Sequence, residues 1–485
     1  MTVDPRFIAA LRAELEPGDV LTSPEECVAY ECDALTAHRR SPDVVALPRS
    51  VDQVRAVMRL AQLHQVPVVA RGAGTGLSGG ALPVDGAVLL VLARLDGIVE
   101  LDPKRRIARV QPGATNLSIS QAAAPHGLFY APDPSSQVAC TIGGNVAENS
   151  GGVHCLKYGL TFHNVLELEL VTADGELLTI GAESGDAAGL PLIALVCGSE
   201  GMLGVIIEVT VRLTPAPGCV ELLLAAFDDV GRCADAVGRL IAAGLLPAGL
   251  EMMDAPAIRA VNAFVACGYP EDAAALLLCE LDGPRFDVEL DLARARSVLE
   301  TAGASRVRVA ADAAERARMW SGRKAAFPAV GRLAPDYYCM DGTIPRRRLP
   351  QVLARIAELS VQYGLAVANV FHAGDGNLHP LIMFDAGVPG QLAAAERFGA
   401  DILELCVSVG GTVTGEHGVG VEKLGPMCSQ FTGPEIECFH AIKSAFDPEA
   451  RLNPGKAVPT LARCADYGAL RVHGGRLPHA HLPRF

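Results

Sequence analysis

The residues of this sequence best suited to chemistry sit in two glycine-punctuated segments of its C-terminal half. The run His372-Ala-Gly-Asp-Gly-Asn-Leu-His379 sets two imidazoles seven residues apart, and Thr-Gly-Glu416-His417-Gly adds a carboxylate and a third imidazole. A strand bent at Gly374 and Gly376 can bring His372 and His379 to one point. A glycine-flanked turn can present Glu416 and His417. Two imidazoles and one carboxylate form a ligand set for a divalent cation that leaves positions open for substrate. The same spacing also suits structural histidines satisfied within the fold, and on residue types alone both readings stand.

A different chemistry is written in the N-terminal half. The loop Arg71-Gly72-Ala73-Gly74-Thr75-Gly76-Leu77-Ser78-Gly79-Gly80 follows an apolar stretch at 66–70 and fits Gly-x-Gly-x-x-Gly. A dinucleotide fold of the Rossmann kind needs a helix directly after such a loop. Residues 81–86 are too few for one and contain Pro83, so the loop joins two strands. Its backbone N–H groups still form a nest suited to a pyrophosphate, with a plain tight turn as the alternative. A second polar stretch holds Pro132, Asp133, Ser135, Gly143, Gly144, Asn145, Asn149, Gly151 and Gly152, and 198–204 repeats the style up to Gly204. Small residues let backbone close on a flat ring or a phosphate, while Asn and Ser supply directional hydrogen bonds. Each stretch alone reads as a loop. Three in one domain point to a large cofactor.

The elements that must position these groups follow from patterning. Ser50 with Gln53 is a capping-box signal, and Val54, Val57, Met58 and Ala61 give the following helix an apolar face. Strands are expected at 66–70, 88–92, 107–110 and 205–213, and a hairpin at 166–180 around Asp174-Gly175. The segment 214–218 reads as a linker. Beyond it, strands at 220–227, 274–281 and 367–371 alternate with helices ending near 244 and 303 and with helices at 351–364 and 392–409, an α+β arrangement with an antiparallel sheet. The expected organisation is an N-terminal segment at 1–40, a cofactor-binding domain at 41–216, a cap and substrate domain at 217–460 and a tail at 461–485.

Composition narrows the partners. The formal charge is −14 and no basic patch is visible, which argues against nucleic acid. No apolar run approaches the roughly 18 residues that span a bilayer, and no signal peptide opens the chain. Fourteen cysteines without a Cys-x-x-Cys pair suggest a reducing compartment, free and mostly buried thiols, and no iron–sulfur cluster or zinc ribbon in this chain.

Taken together, the motif strings resemble the flavoproteins of the vanillyl-alcohol oxidase / p-cresol methylhydroxylase superfamily, and most closely the family of FAD-binding D subunits of bacterial glycolate oxidase (glycolate dehydrogenase). The strings RGAGTGLSGGALP, APDPSSQVACTIGGNVAENSGGVHCLKYGLT, GSEGMLG, LEMMD, PDYYCMDGTIPRR, VANVFHAGDGNLHPL, GEHGVG and NPGK carry the likeness across about residues 25–460. The resemblance implies a two-subdomain FAD-binding domain plus an α+β cap, with non-covalent FAD held by the two glycine-rich stretches and Asn453. In the D-2-hydroxyacid dehydrogenase branch the pattern maps His372, His379 and Glu416 to a Zn or Mn ion, His417 to the general base and Arg323 to the substrate carboxylate. A surface helix arginine is the plainer alternative for Arg323.

Two positions depart from the dicarboxylate-specific relatives. Cys339 stands where those have a lysine, and Leu381 where they have an asparagine, which favours a small 2-hydroxy acid without a second charge. The resemblance therefore implies oxidation of glycolate to glyoxylate. It also implies electrons passing to an iron–sulfur subunit, a related flavin subunit beside it, and cytoplasmic placement, peripheral on the membrane. D-Lactate oxidation and a catalytically silent flavin-binding scaffold are the competing readings.

Overall fold

The computed structural model describes residues 3–185 and 189–459, and these form two compact units. The expected tail at 461–485 lies outside the described residues. Of the described residues, the first unit gathers 3–151, 160–185, 189–216 and 416–459, and the second 152–159 and 217–415.

The first unit contains two sheets. One runs in the order Val20–Leu21, Val44–Ala46, Val88–Val91, Val68–Arg71, antiparallel at the first pair and parallel thereafter. Its inner strand Val88–Val91 is buried at every residue, as the uninterrupted apolar run requires of a strand covered on both faces. The helix Val51–His64 packs against this sheet through Val54, Val57, Met58 and Ala61, and the Ser50 hydroxyl accepts from the Gln53 N–H. Phe7 and Leu11 of the helix Pro5–Glu14 enter the same core.

The other sheet is antiparallel, in the order Ile98–Asp102, Ile107–Val110, Val205–Arg212, Val165–Val171, Leu177–Gly181. Its last two strands are the hairpin read at Asp174-Gly175. Gly143, Gly144 and Asn145 lie in a helix, Ile142–Glu148, where the sequence suggests a loop. The glycines serve packing there: a Cβ on Gly143 would sit 2.7 Å from that of Pro112.

In the second unit one antiparallel sheet runs Arg306–Val309, Cys219–Phe227, Ala275–Gly283, Gly249–Asp254, Val367–His372, Asn377–Leu378, Gly342–Thr343. Asp336–Cys339 and Pro380–Phe384 pair alongside. Leu222, Leu224, Met253, Leu276, Leu278, Val370 and Leu381 meet in its core. The alternation of strands and helices read beyond 217 is present, but Gly249–Asp254 carries too little period-two signal to stand out in the sequence.

Within the 217–460 segment, residues 416–459 pack with the first unit. Leu452, Asn453 and Lys456 are among the residues that hold the returning chain there. Leu452 bridges Val68 and joins the core of the mainly parallel sheet. The Asn453 side-chain amide donates to the carbonyls of Gly80 and Glu200 at 3.0 and 2.7 Å. Lys456 donates to the Gly80 carbonyl at 2.8 Å.

Candidate active site

The glycine loop leaves the strand Val68–Arg71 and reaches its parallel neighbour Val88–Val91 with no helix between them. Such a loop cannot present a helix terminus to a phosphate, so it must use its own N–H groups and neighbouring side chains. Arg71 is buried and donates to the Cys32 carbonyl at 2.8 Å. Thr75, Gly76 and Leu77 are half-buried, and Ser78 is fully buried.

Several buried polar atoms along this loop have no hydrogen-bond partner: Ser78 Oγ, Thr141 Oγ1, Asp33 Oδ2, Glu148 Oε2 and Asn453 Oδ1. Thr141 Oγ1 presses on Gly72, while Asp33 and Glu148 reach toward Gly76 and Gly80. Burying so many unsatisfied groups is costly unless a polar ligand completes them. Hydroxyl and backbone donors suit a pyrophosphate, and carboxylate acceptors suit ribose or ribityl hydroxyls. These residues fit FAD.

The other expected cofactor contacts lie in the same unit, apart from Gly152, which opens the 152–159 stretch of the second. Asn116 donates to the Pro132 carbonyl and to Asn145 Oδ1, at 3.0 and 3.1 Å, which ties the polar stretch to the helix Ile142–Glu148. Asn149 caps that helix in the left-handed region, and its Oδ1 accepts from the Phe162 N–H. Asp133 is half-buried, Ser135 is exposed, and Gly204 precedes the strand Val205–Arg212.

Sequence reasoning missed the charged group beneath the loop. Asp33, Glu200, Lys423 and Lys456 are drawn from distant segments and are buried, and the half-buried Glu148 joins them with its Oε2 atom shielded from solvent. Burial drives the Glu148 carboxyl well above its ordinary range, and the neighbouring Glu200 and Asp33 charges push it further. Burial also raises Glu200, although the N–H groups of Val419 and Gly420 donate to it at 2.7 Å and oppose the rise. Asp33 is pushed by burial to about 6, against the pull of the Leu35 N–H, Lys456 and Arg71. No local pattern announces such a cluster, since each member sits in an otherwise unremarkable segment.

In the second unit, His372 ends the strand Val367–His372 and pairs across a tight turn with Asn377. Gly376 makes that turn possible. Its φ is +75°, and a Cβ there would lie 2.2 Å from the Ile344 carbonyl oxygen. The turn returns His379 to His372, with ring centroids 5.1 Å apart, planes at 89° and ligand nitrogens within 4.8 Å. The strand bent by glycines thus does what its spacing suggested.

Each ring is oriented from behind. His372 Nδ1 lies 2.7 Å from Glu251 Oε1, and His379 Nδ1 lies 3.4 Å from the Met340 carbonyl oxygen. Both partners are acceptors only, so Nδ1 carries the proton and Nε2 the lone pair in each neutral ring.

Arg323 is not on the surface. It lies on the helix Ala313–Lys324 at 2% exposure, and its Nε donates to Glu251 Oε2 at 2.7 Å. Its Nη2 is buried without a hydrogen-bond partner among the described residues, and such a donor suits a carboxylate. Cys339 and Leu381 are cross-strand neighbours, both buried, with Cys339 Sγ within 4.8 Å of a His379 nitrogen.

Glu416 and His417 open the segment that rejoins the first unit. Gly151 lets Glu416 approach its backbone: a Cβ there would fall 2.5 Å from Glu416 Oε2. Glu416 Oε1 and His417 Nε2 are 3.9 Å apart.

Comparison with known proteins accounts for nearly the whole chain. Residues 42–181 match the FAD binding domain family, and residues 217–457 match the family of FAD linked oxidases, C-terminal domain. The glycolate oxidase subunit GlcD of Escherichia coli (strain K12) is 59% identical over 478 residues, covering 99% of this chain and 96% of that protein.

The chain belongs to the FAD-linked oxidase family, among the GlcD proteins.

The GlcD protein of Bacillus subtilis (strain 168) is 37% identical, with 90% of this chain and 93% of that one covered. The crystal structure of p-cresol methylhydroxylase superposes with a TM-score of 0.79 at 17% identity, covering 94% and 98% of the two chains. This FAD-linked oxidase therefore has the two-part fold and the FAD cofactor that its sequence suggested. Among the described residues, no helix of this oxidase is long and apolar enough to cross a membrane.

Proposed function

We propose that this FAD-linked oxidase oxidises glycolate to glyoxylate. The observation that carries the reading is the buried set His372, His379 and Arg323, in which Glu251 joins Arg323 to His372 and Arg323 Nη2 finds no hydrogen-bond partner among the described residues. The GlcD relatives, named as glycolate oxidase subunits, support the choice of substrate.

The roles follow from the residue chemistry. Arg323 binds the substrate carboxylate through its free Nη2 and is held in register by its Nε. His372 and His379 offer Nε2 lone pairs, and Glu416 a carboxylate, to a Zn or Mn ion. Bound metal would lower the pKa of the substrate hydroxyl. His417 takes the hydroxyl proton as general base. Bound FAD would accept the α-hydrogen as hydride, the chemistry that flavins supply. One proton and one hydride leave, and the C–O bond becomes a carbonyl. The buried thiol of Cys339 and side chain of Leu381 leave a distal carboxylate without a partner, which disfavours dicarboxylates.

A second reading, D-lactate oxidation, is favoured by relatives such as the D-lactate dehydrogenase of Archaeoglobus fulgidus, 32% identical over 441 residues. Initial rates on the two acids separate the readings. Higher kcat/KM for glycolate supports the first, and higher kcat/KM for D-lactate replaces it.

The word subunit in the GlcD names supports assembly with further chains. The partners we propose are an iron–sulfur subunit and a related flavin subunit, on the cytoplasmic face of the membrane. Co-purification of tagged protein with iron analysis tests this.

A further inference from the structure

We infer that Glu251 is a positioning residue that serves two parts of the site at once. It fixes the metal-binding face of His372 with one carboxylate oxygen and the substrate-binding face of Arg323 with the other. The inference rests on the proposed roles of those two residues.

Glu251 is 1% exposed on the strand Gly249–Asp254. Its backbone position is opposite His372 in the antiparallel ladder, so strand register alone delivers the carboxylate to the imidazole. Oε1 lies 2.7 Å from His372 Nδ1, and Oε2 lies 2.7 Å from Arg323 Nε.

The two contacts have different consequences. A carboxylate can only accept, so the Nδ1 proton of His372 is locked in place and Nε2 keeps its lone pair. Such a partner also makes the imidazole a better ligand, and its loss typically weakens metal binding by about 10–100-fold. On the other side, the single Nε bond orients the planar guanidinium without using its outer nitrogens, leaving Nη2 for a carboxylate. The arrangement also balances a buried cation against a buried anion, which neither could bear alone. A neutral glutamine in place of Glu251 cannot satisfy both neighbours while His372 keeps its Nδ1 proton, since its amide nitrogen would meet a donor on one side.

The test measures Zn²⁺ affinity by chelator competition on FAD-loaded protein, with FAD content and Tm recorded for each variant. Wild type, Glu251→Gln, Arg323→Lys and the double variant Glu251→Gln/Arg323→Met are compared. The double variant removes both buried charges and keeps the comparison possible if the single one folds poorly. The expected result is a loss of about 10–100-fold in Zn²⁺ affinity whenever Glu251 is replaced, with Arg323→Lys close to wild type. KM for glycolate should rise in Glu251→Gln as well as kcat fall, because Arg323 loses its anchor. Unchanged Zn²⁺ affinity in folded Glu251→Gln or double variant overturns the inference alone. A wild-type protein that binds neither Zn²⁺ nor Mn²⁺ overturns the metal assignment beneath it.

Discussion

The imidazole of His372 stands edge-on to that of His379, with centroids 5.1 Å apart and planes at 89°. Both rings are almost fully buried, and each has an acceptor behind its Nδ1. Two rings oriented in this way are the basis of the proposed shared cation.

Replacing His379 by Ala should therefore abolish Zn²⁺ or Mn²⁺ retention and lower kcat by at least about 10²-fold, the range for losing one well-placed chemical group. FAD content should stay at the wild-type level, since the glycine loop and its neighbours lie in the other unit. Metal analysis and flavin absorbance of the same sample check both halves.

Arg323→Lys keeps a positive charge beside Glu251 but loses the planar fork. A charged hydrogen bond to a carboxylate is worth about 1.5–3 kcal/mol, so kcat/KM for glycolate should fall by about 10–100-fold. Most of the change should lie in KM, read from steady-state kinetics with the natural or an artificial acceptor.

Gly376→Ala should destabilise the protein by about 2 kcal/mol or more, because a side chain must adopt a left-handed φ and also meets the Ile344 carbonyl. Urea unfolding measures the loss. The same variant should weaken metal binding, since the turn sets the distance from His372 to His379.

Asp33 gives a pH signature. Its carboxyl is raised by burial to about 6 in the fold from an ordinary value of 3.8. The folded protein therefore holds a proton that the unfolded chain has released between these values. Stability from this group is full below about pH 4 and is lost as pH rises through 6, by at most about 3 kcal/mol. Lys456 and Arg71 oppose the shift and the nearby Glu148 adds to the local negative charge. In Asp33→Asn the decline of Tm from pH 4 to pH 7 should be shallower than in wild type. An equal or steeper decline would contradict the buried, raised carboxyl.

Much of this was legible in the sequence wherever the signal is local. The capping pair Ser50 and Gln53, the hairpin at Asp174-Gly175 and the short connection after Gly80 each report on a few adjacent residues, and the structure has the elements they imply. The bend between His372 and His379 was legible for the same reason. Gly143 and Gly144 misled, because a glycine that admits Pro112 to a helix looks like one that opens a loop.

What the sequence hid is non-local. Glu251 meets His372 only through strand register, and Asp33, Glu148 and Glu200 meet only once separate segments have folded together. The return of 416–459 to the first unit involves Leu452, Asn453 and Lys456, and Gly80, which accepts from the last two, lies more than 370 positions away. Residue type alone left Arg323 open between a surface helix arginine and a site residue, and its burial removes the surface reading.

The most direct test of the account is anaerobic mixing of metal-loaded wild-type protein with glycolate while flavin absorbance is followed. The account predicts rapid bleaching of the oxidised flavin with stoichiometric formation of glyoxylate, and no bleaching in His417→Ala that retains FAD. Flavin that stays oxidised in the wild-type protein, with FAD and metal both bound, would contradict it.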